Sequence, residues 1–247
     1  MTIGFFVLGI ILGSVANAVI YRLLAGRQAS PDLSWWRGRS ICPKCKHKLG
    51  FWDLIPLLSF LFLRGKCRYC HSPISLRYFL VELFLGAAFV FVGIHYSVFS
   101  TRLLWMAILW VMTVIAVMDW ETMLVSDWLV GSWLIMILLT MNYELITMNL
   151  LGVAVAVGII GGIWILTKKK GMGSGDIGIA AVMGLMLGWP KIAIGLWFAF
   201  ITGAAFGLWS LVFGHKKMKS AIPFGPFLIL GTLIASIWGE KILRIFF

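Results

Sequence analysis

The chain has 247 residues, 61% of them hydrophobic and only 12% charged, with a formal net charge of +12. A soluble domain carries roughly half apolar and a quarter charged residues, so a water-soluble globular fold is excluded. The apolar runs are continuous, which excludes the alternating strands of a β-barrel, and the basic excess reads as loops at one membrane face rather than as a nucleic-acid surface. The predicted fold is an all-α membrane protein, a bundle of about eight transmembrane helices with a cytoplasmic zinc-binding loop.

The first apolar run covers residues 3–24. Ala16-Asn17-Ala18 resembles a small-residue cleavage site, but no basic region precedes the run, and Arg22 and Arg27 follow it. It is read as a retained span with its N-terminus outside. Gly13, Ser14 and Ala16 give it a small-residue face suited to close helix packing.

Residues 26–77 form a long loop with ten Lys or Arg and two Asp, cytoplasmic by its positive charge. All four cysteines lie in it, as Cys42-Pro-Lys-Cys45 and Cys67-Arg-Tyr-Cys70 with 21 residues between the pairs. That spacing is close to a four-cysteine zinc site, and a reducing cytoplasm disfavours the alternative of disulfides. Four thiolates leave no open coordination position, so such a metal is structural. His47 and His71 are read as outer neighbours or solvated side chains rather than ligands. The segment Leu54–Leu63 is apolar but too short to span, and packs on the zinc module or lies against the membrane face.

Seven more apolar runs follow, at 78–97, 102–118, 128–143, 146–166, 176–189, 191–213 and 222–244. With the N-terminus outside, 17 of the 21 basic residues fall on the cytoplasmic side, among them Lys168-Lys169-Lys170 and His215-Lys216-Lys217-Met218-Lys219. The predicted organisation is a first helix (1–25), a zinc-knuckle loop (26–77) and a membrane core (78–247). Asp119 ends the third span and Asp176 begins the sixth, so both are expected at the cytoplasmic interface, at one depth.

The chain has nine acidic residues, and three lie between 119 and 127. Two carboxylates at matched depth on different helices are the minimum for aspartic-protease chemistry. One, ionised, takes a proton from water; the other, protonated, donates to the scissile carbonyl. Adjacent like charges cannot both ionise cheaply, so the pair shares a proton and titrates as a unit. Gly171, Gly173 and Gly175 permit backbone conformations that other residues resist and would let an extended substrate approach Asp176. Read without that chemistry, Asp176 is a helix-start residue favoured by the macrodipole, and Asp119 caps a helix end or pairs with a basic loop. Ser126 or Asp127 makes a good N-cap for the fourth span. Glu121 is read as solvated. Glu82 lies inside the second span, either reaching the interface or lining a polar pocket.

These residues resemble the type IV prepilin peptidases, membrane aspartic proteases of pilus, type II secretion and competence systems. Gly13-Ser-Val-Ala-Asn17-Ala-Val-Ile-Tyr-Arg22 is similar to the family's opening stretch, and the two knuckles flanking Leu-Ile-Pro-Leu-Leu-Ser-Phe to its zinc loop. Ser75–Glu82 is similar to its entry to the second span, Gly173-Ser-Gly175-Asp176 to its Gly-x-Gly-Asp motif, and Pro223-Phe-Gly-Pro226 to a late motif. The resemblance implies Asp119 and Asp176 as catalytic, Gly173, Gly175 and Asp127 in the active-site loop, and Cys42, Cys45, Cys67 and Cys70 on zinc. It also implies membrane-embedded prepilin or pseudopilin substrates, cut on the cytoplasmic side, with the zinc loop covering or orienting the site. Many members also methylate the new N-terminus with S-adenosylmethionine; Glu82, Asn17 and Arg22 are candidates for that transfer or for a structural polar site. Two positions depart from the family pattern: Ser126 where Pro is usual, and Gly178 where Lys is common. A transporter, the main rival, calls for polar residues near mid-membrane and internal repeats; the sequence shows no repeat, and its acids are expected at one interface.

Overall fold

A computed structural model describes residues 2–26, 40–140, 145–168, 172–213 and 222–246. Arg27, Lys169, Lys170, Gly171 and the 215–219 basic run, used above, lie outside them. Among the described residues the chain is helical, without strands: α1 (Thr2–Gly26), α2 (Leu58–Phe62), α3 (Leu76–His95), α4 (Phe99–Thr122), α5 (Asp127–Thr140), α6 (Ile146–Leu166), α7 (Ser174–Leu187), α8 (Lys191–Val212) and α9 (Gly225–Phe246). Six of these are long and apolar enough to cross a bilayer, while α5 and α7 are apolar but short. Together they match the eight predicted spans, with shifted edges. α4 continues to Thr122 rather than stopping at 118, so Asp119 sits inside its last turn and the link to α5 is only Met123–Ser126.

A helix of 14 residues, the length of α7, rises about 21 Å against a hydrocarbon core of about 30 Å. Protein supplies the missing cover: Ile179, Ala180, Val182, Met183 and Gly184 are all buried. Non-helical backbone at membrane depth is tolerated where protein surrounds it.

The chain forms two compact units, residues 1–114 and 115–247, dividing within α4. In the first unit, α1 packs along α3 through small residues. A Cβ on Gly13 would lie 2.7 Å from the Glu82 Cα, and one on Gly9 would strike the Leu85 carbonyl. The predicted small-residue face therefore lets two backbones touch. Ala16, Ile20, Leu85 and Phe89 are fully buried beside it. Trp110 of α4 donates its Nε1–H to the Leu12 carbonyl at 2.8 Å.

Glu82 joins this helix pair to the loop. Its side chain takes the Leu57 N–H at 2.8 Å and also hydrogen-bonds to Ser14. Leu57 has φ 60° and ψ −50°, and the Leu58 N–H donates to the Pro56 carbonyl at 2.6 Å. This is a γ-turn of the rare positive-φ kind, which is strained. Glu82 thus makes a polar contact with the loop at the side of the helix pair. Replacing Glu82 by Ala leaves the Leu57 N–H unpaired, a local cost of about 1–3 kcal/mol. The expected result is faster amide exchange over residues 55–63 with the helices unchanged, and Glu82→Gln, which keeps an acceptor, restores protection. Unchanged exchange in the Ala variant would remove Glu82 from this role.

In the second unit, α7 is the central helix, packed by α5, α6 and α9. Backbones touch where Gly184 meets Gly152 of α6, and again where Gly195 of α8 meets Gly231 of α9. Trp120, Phe206 and Phe227 form an aromatic cluster, with ring centroids 5.1–6.4 Å apart, that joins the end of α4 to α8 and α9.

Candidate active site and metal centre

Asp119 and Asp176 come together in the second unit. They are 4% and 6% exposed, and the Asp119 charge acts directly on Asp176. Each carboxylate is gripped at Oδ2 by the backbone N–H of a glycine. Gly225 donates to Asp119 at 3.0 Å, and Gly173 donates to Asp176 at 3.0 Å. Gly225 opens α9 and Gly173 caps α7, so both acids face helix N-termini, where unpaired N–H groups and the macrodipole favour negative charge. Both of these contacts are made to the Oδ2 atom. Ile179, one turn after Asp176, also approaches Gly225, so three elements converge on one point.

The sequence explains the local geometry. Pro226 suits the first turn of a helix because it has no N–H to satisfy there, and Phe224 accepts the first turn's N–H groups from Phe227 and Leu228. The Gly225 N–H is then directed outward to Asp119. A Cβ on Gly225 would lie 2.7 Å from the Asp119 Oδ2, so glycine is required by the close approach. The glycine before Asp176 works differently from the expectation. Gly173 has φ −77°, an ordinary extended value. At Gly175 the space is taken by the chain itself, since a Cβ there would lie 2.7 Å from the Val125 Cβ. Gly175 thus admits the Met123–Ser126 link, which makes a left-handed turn at Met123 (φ 55°) and packs on the Gly-x-Gly-Asp turn.

Asp127, unlike the buried pair, is exposed. It is the first residue of α5, and the Ser126 carbonyl takes the Leu129 and Val130 N–H groups in the N-cap position. Glu121 is also exposed. Gly178 has room for a side chain, since its nearest neighbour, Val130, would lie at an ordinary 3.6 Å. The role of Gly225 could not be derived from the sequence. Pro223–Pro226 was visible as a motif, but its contact with Asp119 spans 106 positions.

In the first unit, two knuckles of identical design hold the cysteines. The Cys42 N–H donates to the His47 carbonyl and the Lys46 N–H to the Cys42 carbonyl, with Lys46 left-handed; Cys67, His71 and Ser72 repeat the pattern. The four Sγ atoms lie within 4.8 Å of one another, and those of Cys42 and Cys70 are 3.9 Å apart. Tetrahedral ligation at a Zn–S distance near 2.3 Å requires sulfurs about 3.8 Å apart, so the cluster fits zinc. The Cys45 N–H holds the Cys42 thiol down at about 6. The Cys45 thiol, although the His47 N–H lowers it, is pushed up to about 11 by desolvation and by hydrogen bonds shared with Cys42 and Cys70. Hydrogen bonds from Ser72 also hold the Cys70 thiol below its usual range, so Cys42 and Cys70 favour the thiolate that a metal needs. His47 stacks on Tyr69 at 3.7 Å and stands outside the cluster.

Asn17 and Glu82 are 2% and 8% exposed, closed between α1 and α3, and the Asn17 Nδ2 donates to the Tyr78 carbonyl at 3.0 Å. Arg22 lies half-buried further along α1.

Fold and site together define a multi-pass helical membrane protein with a buried aspartate pair and a four-cysteine cluster. Residues 7–96 match the bacterial peptidase A24 N-terminal domain, and residues 106–208 match the type IV leader peptidase family. The chain is 32% identical to a prepilin leader peptidase/N-methyltransferase of Legionella pneumophila over 269 residues, covering 99% of this chain and 93% of the relative. It is 32% identical to the protein of that name from Aeromonas hydrophila, covering 97% and 91%, and 28% identical to that from Pseudomonas aeruginosa, covering 96% and 90%. No solved structure matches the chain. The chain belongs to the type IV leader peptidase family.

Proposed function

We propose that the protein is a prepilin leader peptidase in which Asp119 and Asp176 are the catalytic dyad. The observation that carries this reading is the matched grip on the two buried carboxylates, one glycine N–H on each Oδ2. One carboxylate, ionised, takes a proton from water as the water attacks the scissile carbonyl. The other, protonated, supplies a proton to the carbonyl oxygen, and the leaving amine takes a proton as the tetrahedral intermediate collapses. Gly173 and Gly225 hold the acids in register, and burial keeps bulk water from competing. The substrates are prepilin-like proteins whose hydrophobic helix lies in the bilayer. The positive charge of the 26–77 loop supports a cytoplasmic site and an outside N-terminus.

Zinc in the Cys42, Cys45, Cys67 and Cys70 cluster is structural, because four thiolates complete its coordination. N-methylation is the second activity in the relatives' names, and S-adenosylmethionine is the methyl donor that the family resemblance implies. Asn17 and Glu82 do not fit a donor site of that size, being closed between two helices, and their structural reading is favoured.

Co-expression with a prepilin in membranes, with the processed product identified by mass, tests the peptidase reading. An inserted chain that processes none of several prepilins would overturn it and reopen the transporter alternative. A finer test is Gly225→Ala, whose Cβ crowds the Asp119 Oδ2 and displaces its hydrogen bond. Cleavage is expected to fall about tenfold to a hundredfold, the equivalent of one hydrogen bond to a charged group, with insertion unchanged. Wild-type rates in that variant would separate Gly225 from the reaction.

A further inference from the structure

We infer that the segment Pro56–Leu63, carrying α2, is embedded in the lipid interface, so that the zinc loop lies on an anionic membrane surface rather than standing in the cytosol. The first observation is depth. Leu57 is bonded to Glu82, which lies six residues into α3, about 9 Å along the helix from its start. Phe60 packs on Phe79 at 5.4 Å, one turn nearer that start. The Pro56–Leu63 segment therefore touches α3, a membrane-crossing helix, at the level of its first two turns. At this level α3 presents Leu76, Leu80 and Leu83 outward, 57%, 52% and 40% exposed.

The second observation is the face that α2 presents. Phe60 turns inward and also covers Gly65, with 3.1 Å between its ring and the position a Cβ would take. Leu58, Leu61 and Phe62 point the other way, 50%, 58% and 83% exposed. Their spacing is that of one helix face. An apolar face of this kind standing in water is costly, and beside lipid it is the normal surface.

The third observation is charge. Arg64 and Lys66 follow α2 directly and are exposed, as are Lys44, Lys46 and Lys48 on the first knuckle. An apolar face next to clustered cations is the pattern of an interfacial element on anionic lipid. Trp52, 69% exposed, sits on a base fixed by Asp53, which takes the Gly50 N–H, the Tyr69 hydroxyl and the Arg68 guanidinium. A rigidly presented Trp suits the headgroup layer. The loop leads directly into α3, so the nearest anionic surface is the headgroup layer around that helix, and the tether makes even weak contacts effective.

The test uses the full chain in nanodiscs. Benzoylphenylalanine is placed at residue 62, at Leu80 as the lipid-facing reference, and at Lys46 as the headgroup-level or aqueous reference. After irradiation, intact mass reports what each position captured. Lipid adducts at 62 comparable to those at 80, and severalfold above those at 46, are expected. Exchanging phosphatidylglycerol for phosphatidylcholine should weaken the lipid labelling, as should Arg64→Glu with Lys66→Glu in the anionic discs. Adducts at 62 no higher than at 46, or adducts to another protein copy instead of lipid, would overturn the inference. Footprinting of the unaltered chain with a lipid-partitioned carbene reagent gives an independent reading. Labelling of 58–62 at the rate of Leu80 supports it; labelling only by a water-soluble reagent overturns it.

Discussion

Asp119→Asn and Asp176→Asn are each expected to stop leader cleavage, by about 10²–10⁴-fold or to below detection, while Asp127→Asn retains it. Asn matches Asp in shape and keeps an oxygen to accept the Gly225 or Gly173 N–H, so the fold is expected to persist. What is lost is proton transfer, a contribution of that size in acid–base catalysis. The two single variants should fail equally, and the double variant should be little worse, because the acids act as one unit. Asp127 begins α5 exposed, whereas Asp119 and Asp176 are buried. The dyad also predicts a bell-shaped pH profile for cleavage: acid protonates the base, alkali removes the shared proton, and both limbs belong to the pair. Membrane insertion of every variant is checked alongside the processed product. Loss in Asp127→Asn and Asp176→Asn with Asp119→Asn still active would move the first catalytic acid to residue 127.

The same two acids mark how far the sequence could be read. Eight apolar runs followed from hydropathy, because lipid imposes a single length scale and forbids open backbone. The cysteine cluster followed from spacing, because a knuckle is local. Edges were harder. α4 runs one turn beyond its apolar stretch, since Asp119, Trp120 and Thr122 are held by neighbours: the Gly225 N–H, the Phe206 and Phe227 rings, and the Met118 carbonyl. α7 is short because protein, not lipid, surrounds it. The function of the glycines was least legible. Gly173 and Gly175 looked like flexible room for a substrate, yet one is a hydrogen-bond donor and the other makes way for Val125. Glu82 was visible as a rare intramembrane acid, but its partner Leu57 lies in a loop whose path no periodicity predicts.

Removal of zinc is expected to unfold the loop while leaving the helices in place. Between residues 40 and 75 only two residues are buried, Cys42 and Cys67, and both belong to the four-cysteine cluster. The loop has two isolated bridges, Ile41 with Lys48 and Lys66 with Pro73, and no strand among its described residues. A segment this small cannot build a hydrophobic core of its own and needs a metal or a comparable staple. Structural zinc in comparably small domains contributes about 10–16 kcal/mol of apparent binding free energy, well above the Asp53–Arg68 ion pair, which is half-exposed on the Arg side and worth about 1 kcal/mol or less. Metal analysis of the purified full chain should give one zinc per chain, and Cys42→Ser or Cys67→Ser should lose it. In those variants the knuckles should become cleavable by protease between residues 46 and 66, while α1, packed against α3 through Gly9 and Gly13, keeps its protection. A full chain without stoichiometric zinc whose loop still resists protease would show that the thiols hold the knuckles without a metal. Loss of protection in α1 together with the loop would mean instead that the Glu82–Leu57 contact carries the zinc's stabilisation into the membrane helices.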